Sequence, residues 1–247
     1  AARNLTALLA EDHAYKEVLS FTKAIFADDG NQMVLGDPQL ADIYIFHVHA
    51  LAHIGAIKEA VRISEELLSK PGATPKLAAW LATSLIAHYS LEDETSSIAL
   101  ELARRYEGLL NTLSPQDAQT KDMLANNIAF AYLEAGRIDT AERYLQQLSH
   151  VIHKEPYPTA TLGLFHMRKG NVDRADALYE EAIHLAKTPE DKKRIRQKLN
   201  WESGLRYLDS DPSSARRYLQ KVAEHDDIVP QIAARARSLL SRLPRPK

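Results

Sequence analysis

The chain has 247 residues, of which 45% are apolar and 26% charged, with a formal net charge of −2; this is the composition of an ordinary soluble globular protein and excludes a disordered one. With no cysteine, disulfides, thiolate metal sites, cysteine nucleophiles and thiol switches are excluded, which fits a reducing, cytoplasmic setting. Charge is uneven: Lys187 to Lys247 holds fifteen Lys and Arg against eight Asp and Glu, a balance of +7, leaving −9 for the first 186 residues.

Apolar residues recur at helical spacing almost throughout, and β-branched alternation over a strand length is absent, so an all-α chain is predicted. In chain order, a cap residue followed by Pro marks helix starts at Asp37-Pro38, Thr74-Pro75, Ser114-Pro115, Thr188-Pro189 and Asp211-Pro212. Each pairs an N-cap oxygen with a residue whose fixed φ suits the first turn and whose missing N–H is not needed there. Ser114 and Thr188 each have Asp three residues on, close to a capping box. Asp29-Gly30-Asn31 and Pro71-Gly72 carry turn chemistry. These marks predict helical hairpins near 1–30, 37–70, 74–112, 115–154, 156–187 and 189–225, with a closing helix near 228–243. No linker is long or biased enough to mark a boundary, so one domain is expected over 1–247.

The longest apolar stretch, Ile43 to Ile57, is interrupted by His47, His49 and His53 and is too short and polar to cross a membrane. No signal peptide or lipidation motif is visible. The opening Ala1-Ala2-Arg3 has no initiator Met and points to a piece cut from a longer chain.

Three segments share a Gly-x-Ile/Val-x-x-Ala pattern: Gly55 to Ala60, Gly136 to Ala141 and Gly170 to Ala175. Gly136 and Gly170 are 34 residues apart, a period that signals stacked helical hairpins. The stretch Asn126 to Gly136, with Ile128, Ala129 and Tyr132 in phase, resembles the first helix of the tetratricopeptide repeat family, and Ala141 and Leu148 match its second helix. The next unit is similar through Leu162-Gly163, Gly170, Ala175, Tyr179 and Ala182, with His166 where Tyr is usual. The unit around Gly55 matches through Val48, Leu51, Ile57, Ala60 and Leu67, whereas 74–112 has Leu91-Glu92-Asp93-Glu94 and 189–225 has Asp209-Ser210-Asp211-Pro212 where a Gly turn belongs.

The resemblance implies a right-handed α-solenoid of antiparallel hairpins, a superhelix whose first helices line a concave groove. It implies binding of a peptide or helix of a protein partner, or of another part of a longer chain, rather than catalysis. Asn127 stands where the family often grips a peptide backbone, and an amide both donates and accepts. Asn126, Phe130, Glu134, Tyr157, Leu164, Met167 and Arg168 share that face by phase, as do His49 and His53 farther upstream. The cationic residues of the family's two-carboxylate clamp are missing: Thr83, Ala87, Tyr157 and Thr161 stand at those positions, which argues against a chaperone adaptor.

Three other readings remain: a sensor or regulatory module of a larger regulator, a homo-oligomer, and a nucleic-acid-associated repeat. Nucleic acid ranks below protein, because Lys192, Lys193, Arg194, Arg196 and Lys198 form a basic run without interleaved aromatics. His49 and His53 are i, i+4, but two ligands do not make a metal site. No metal or cofactor is expected, and no Walker loop, nucleophile elbow, dinucleotide fingerprint or other catalytic set is present. His150 and His153, three apart, are expected near a helix end, where a cation favours the dipole.

Overall fold

A computed structural model describes residues 2–11, 14–25, 38–54, 56–69, 74–91, 96–225 and 228–243. Among them every regular element is helical. The α-helices are α1 (Ala2–Glu11), α2 (Tyr15–Ile25), α3 (Pro38–His53), α4 (Ile57–Ser69), α5 (Pro75–Tyr89), α6 (Ser96–Tyr106), α7 (Ala118–Glu134), α8 (Ile138–Gln147), α9 (Pro156–Arg168), α10 (Val172–Leu185), α11 (Pro189–Tyr207), α12 (Pro212–Ala223) and α13 (Pro230–Arg242). Chain neighbours pack in pairs, and first helices also pack on one another, as α3 does on α5 and α9 on α11. This is the arrangement of a helical repeat.

The caps explain several of these boundaries. Thr188 accepts from the Asp191 N–H at 3.0 Å, the forward half of a capping box, and its hydroxyl donates to the Asp191 carboxylate at 2.7 Å. Asp211 accepts from the Ser213 and Ser214 N–H groups, both at 3.1 Å. Thr74 Oγ1 accepts from Leu77 N at 3.2 Å. Ser114 differs: its hydroxyl donates to the Asp117 carboxylate, no backbone amide is capped, and a short 3-10 turn over Pro115–Asp117 leads into α7. Asp37, Gly55, the 29–31 and 71–72 turns and Glu92 to Glu94 lie outside the described residues.

Gly136 and Gly170 adopt φ of 69° and 78°, the left-handed region where a side chain is penalised. The same pair of bonds closes both helices: Gly136 N to Leu133 O and Arg137 N to Tyr132 O, then Gly170 N to Met167 O and Asn171 N to His166 O. These are Schellman closures, in which the left-handed residue lets two amides reach back to otherwise unpaired carbonyls. The repeated Gly of the sequence is therefore a repeated helix stop.

The helices gather in two compact units, residues 1–89 with 97–128, and residues 90–96 with 129–247, so the division falls within α7. In the first unit Val18, Ile43, Val48, Leu81, Leu85 and Ile86 are fully or almost fully buried. In the second, Tyr132 and Tyr144 stack at 5.7 Å across the α7–α8 hairpin. Gly163 of α9 lets the Tyr179 ring of α10 come close, since a Cβ there would sit 3.1 Å from Cδ2. Farther along, Trp201, Leu219, Val222, Val229 and Ile232 form a core that joins α11, α12 and α13, with the Arg235 guanidinium 4.5 Å over the Trp201 ring.

Candidate functional site

α7, whose end belongs to the second unit, and α9 and α11 are the first helices of three successive hairpins. Glu134, Arg168 and Glu202 stand 34 residues apart, one at the same place in each, and their side chains meet. Arg168 pairs with Glu202 through both guanidinium nitrogens, and its Nη2 reaches Glu134 Oε1 at 3.2 Å. Lys198, one turn before Glu202, places Nζ 3.0 Å from Glu134 Oε2 and 2.9 Å from Glu202 Oε1. Two carboxylates and two cations thus close a neutral cluster.

The cluster is largely removed from solvent: the Glu202 side chain is 0% exposed, Glu134 8%, Lys198 12% and Arg168 28%. Burial pushes the Glu202 carboxyl up, but Lys198 and Arg168 outweigh it and leave the group below the usual carboxylate range. Burial alone would lower Arg168, and the two carboxylates reverse that. Behind them the Tyr179 hydroxyl is buried without a hydrogen-bond partner; its burial and the Glu202 and Glu134 charges raise its pKa well above that of an ordinary tyrosine.

The same 34-residue register recurs beside the cluster. Tyr157 donates from its hydroxyl to Asp191 Oδ1 at 2.5 Å, and Phe130 receives the Lys198 ammonium 5.1 Å from its ring centre. Tyr157 remains 38% exposed and Phe130 is half-buried. An apolar and cationic face therefore runs along the first helices of this unit, with its charges paired internally.

The expected lining residues separate into three groups. Phe130, Glu134, Tyr157 and Arg168 come together as described. Leu164 and Met167, at 1% and 8% exposure, are core residues of the second unit, and Asn126, at 8%, is buried in the first. Their placement in an open lining is corrected, because the helices around them close over apolar and amide groups alike. Asn127 donates from Nδ2 to the Thr83 carbonyl of α5 at 3.0 Å and accepts from Asn126 Nδ2 at 3.3 Å, so its amide is engaged within the first unit.

His49, half-buried in the first unit, makes edge contacts with Tyr15 at 5.9 Å and His88 at 6.4 Å; the His53 side chain lies outside what is described. His47 is buried, with Nδ1 2.6 Å from Thr22 Oγ1, and burial lowers its pKa to about 4. No group of three or more potential metal ligands occurs among the described residues. His150 Nδ1 lies 3.1 Å from the Gln147 carbonyl at the end of α8, the helix-end contact expected, whereas His153 Nδ1 turns to the Glu181 carboxylate of α10 at 2.9 Å.

Within the basic run, Arg194 pairs with Glu190 at 3.3 Å and Lys198 belongs to the buried cluster. Lys192, Lys193 and Arg196 are exposed. Glu202 was not singled out from sequence, although its spacing from Glu134 and Arg168 was the available signal. Among the described residues no helix is long and apolar enough to cross a membrane.

Comparison with known proteins agrees with the helical fold. A solved structure, the crystal structure of BtubC (BKLC) from P. vanneervenii, is similar in fold, with a TM-score of 0.50 and 17% identity over 100% of this chain and 95% of that one. No curated protein matches the sequence. Residues 160–193 match the family described as Tetratricopeptide repeat, a stretch that holds Arg168, the Gly170 stop and the start of α11. The chain is a helical repeat protein whose residues 160–193 are similar to the tetratricopeptide repeat.

Proposed function

We propose that the chain is a non-enzymatic interaction scaffold, a right-handed α-solenoid that holds a peptide or helix of a protein partner on the inner face of its first helices. Support comes from repeats of this family, which generally mediate protein–protein interaction. The observation that carries the reading is the meeting of Glu134, Arg168 and Glu202, which brings equivalent positions of three hairpins onto one face.

On this reading Tyr157 and Phe130 offer apolar contact and Arg168 sets orientation, because it keeps some exposure while its neighbours are buried. The Glu134 and Glu202 carboxylates hold Arg168 in place rather than meeting the ligand. Aromatic anchors beside a positioned guanidinium are the usual sources of binding energy in an interface.

The test is a pull-down with the intact protein, followed by affinity measurements on the recovered partner. Tyr157→Ala is expected to weaken binding by about tenfold or more with helicity unchanged, a normal loss for an aromatic anchor. Tyr157→Phe, which keeps the ring, is expected to retain most of it. Equal affinity for Tyr157→Ala and the parent would remove this face from the binding surface.

A further inference from the structure

We propose that the α11–α12 hairpin carries a second interaction surface, a cation–tyrosine cluster that docks an acidic segment of a partner protein. The Tyr207 and Tyr218 rings stack at 5.8 Å with 3° between their planes. Arg206 lies 4.5 Å over Tyr207 and donates to its hydroxyl at 2.7 Å. Arg217 and Lys221 sit over Tyr218 at 5.3 and 5.8 Å. Three cations thus surround one tyrosine pair.

What distinguishes this cluster is how its cations are held. Arg62, Arg105, Arg168, Arg194 and Lys198 are each tied to a carboxylate, which cancels their charge locally. A tyrosine ring orients a cation through its quadrupole and carries no net charge. Arg206, Arg217 and Lys221 therefore keep their full charge, and no described carboxylate lies within ion-pair distance of them. Asp211, which caps α12 through Ser213 and Ser214, has its carboxyl lowered chiefly by those caps and slightly by Arg217. One capping carboxylate does not balance three cations.

The surroundings add to the imbalance. Lys192, Lys193 and Arg196 are exposed on the same hairpin, against the exposed acids Asp209 and Glu224. The preference for carboxylates over nucleic acid follows from the rings. Single-stranded nucleic acid needs bare aromatic faces for base stacking, and both tyrosines here are already engaged, with each other and with cations. Guanidinium and ammonium donors are what the cluster leaves to a ligand, and they match side-chain carboxylates.

The experiment titrates the full chain with a fluorescein-labelled Glu-rich peptide, and in parallel with a single-stranded oligonucleotide of equal charge. Binding of the peptide at low salt is expected, weakening by about tenfold or more at ~0.5 M salt, where exposed charges are screened. The double variant R217E/K221E is expected to lose at least about tenfold of this binding with unchanged helicity, a loss that follows from reversing two of the three uncompensated charges. Tyr157→Ala is expected to leave it unaltered, which separates this surface from the inner face. No peptide binding at low salt, or equal binding by R217E/K221E, would overturn the proposal. Tighter binding of the oligonucleotide than of the peptide would overturn it in favour of nucleic acid, and a dimer of the parent abolished by R217E/K221E would assign the surface to a second copy instead.

Discussion

Glu134 and Glu202, two repeats apart in sequence, share one ammonium: Lys198 Nζ lies 3.0 Å from the first and 2.9 Å from the second. The Glu202 side chain has no exposure to water. Removing Lys198 leaves two carboxylates with Arg168 alone, and an uncompensated buried charge is expensive. Lys198→Ala is expected to cost about 3–5 kcal/mol by urea unfolding. The double variant K198M/E202Q is expected to lose less than K198A, since it removes the charge along with its partner. A loss below ~1 kcal/mol for K198A would mean the cluster behaves like a surface pair.

Glu202 also sets a direction for acid sensitivity. Its folded pKa is held below the ordinary value of 4.5, so the folded state keeps the carboxylate charged more strongly than the unfolded chain does. The stabilisation is complete above pH 4.5 and is lost as pH falls through the folded value. Glu202→Gln is expected to flatten that part of the stability profile, as followed by hydrogen exchange in α11.

His47 gives the first unit a separate pH response. Its pKa falls from 6.5 to about 4, chiefly by burial, with Lys23 lowering it further and Glu59 opposing. The unfolded chain therefore binds the proton first, so His47 contributes its stability above pH 6.5 and that contribution is lost between pH 6.5 and about 4. Amide protection in α3 is expected to fall across this window, and His47→Gln to remove the slope. Protection constant from pH 7 to 4 would contradict the burial.

The glycines separate conformational need from steric need. At Gly136 a Cβ meets nothing within 4 Å, but φ is +69°; Gly136→Ala is expected to cost about 1–2 kcal/mol through the left-handed backbone alone. At Gly204, inside α11, a Cβ would lie 2.8 and 2.9 Å from Leu219 Cδ2 and Cγ. Gly204→Ala is expected to cost roughly 1–3 kcal/mol by overpacking, reversing the usual gain of Ala within a helix. A raised Tm for Gly204→Ala would show that Leu219 moves aside.

Asn127 tests whether an amide on the first helix of a hairpin serves the fold. Its bond to the Thr83 carbonyl is expected to make Asn127→Ala cost about 1 kcal/mol, read as faster hydrogen exchange in α5 and the first turns of α7. An unchanged exchange pattern would free this amide for a ligand.

Much of the fold was legible because it depends on local chemistry. Gly136 and Gly170 could be placed as helix stops, since only a residue tolerant of positive φ completes that closure. Thr188 and Asp211 were readable as caps for a similar reason: the oxygen and the amides it meets lie within three residues of one another. Ser114 shows the limit, since the same Ser-Pro-x-Asp signal led to a side-chain bond and a 3-10 turn.

The candidate face was less legible. Helical phase puts Leu164, Met167 and Arg168 near the same side, but phase is an angle about one helix and does not say how deeply the next helix covers it. Leu164 and Met167 became core, and Asn127 turned to a carbonyl 44 positions back in the chain.

The sequence by itself determined that the chain is helical, where several of its helices begin, and that one 34-residue step separates the Gly136 and Gly170 stops. These follow from backbone torsions and neighbours a few residues away. Only the tertiary structure decided that Glu134, Arg168, Lys198 and Glu202 form one buried cluster, and that Arg206, Arg217 and Lys221 rest on tyrosines. Whether a charge is neutralised depends on which group packing brings within a few ångströms of it, and that distance is set by helices far apart in the chain.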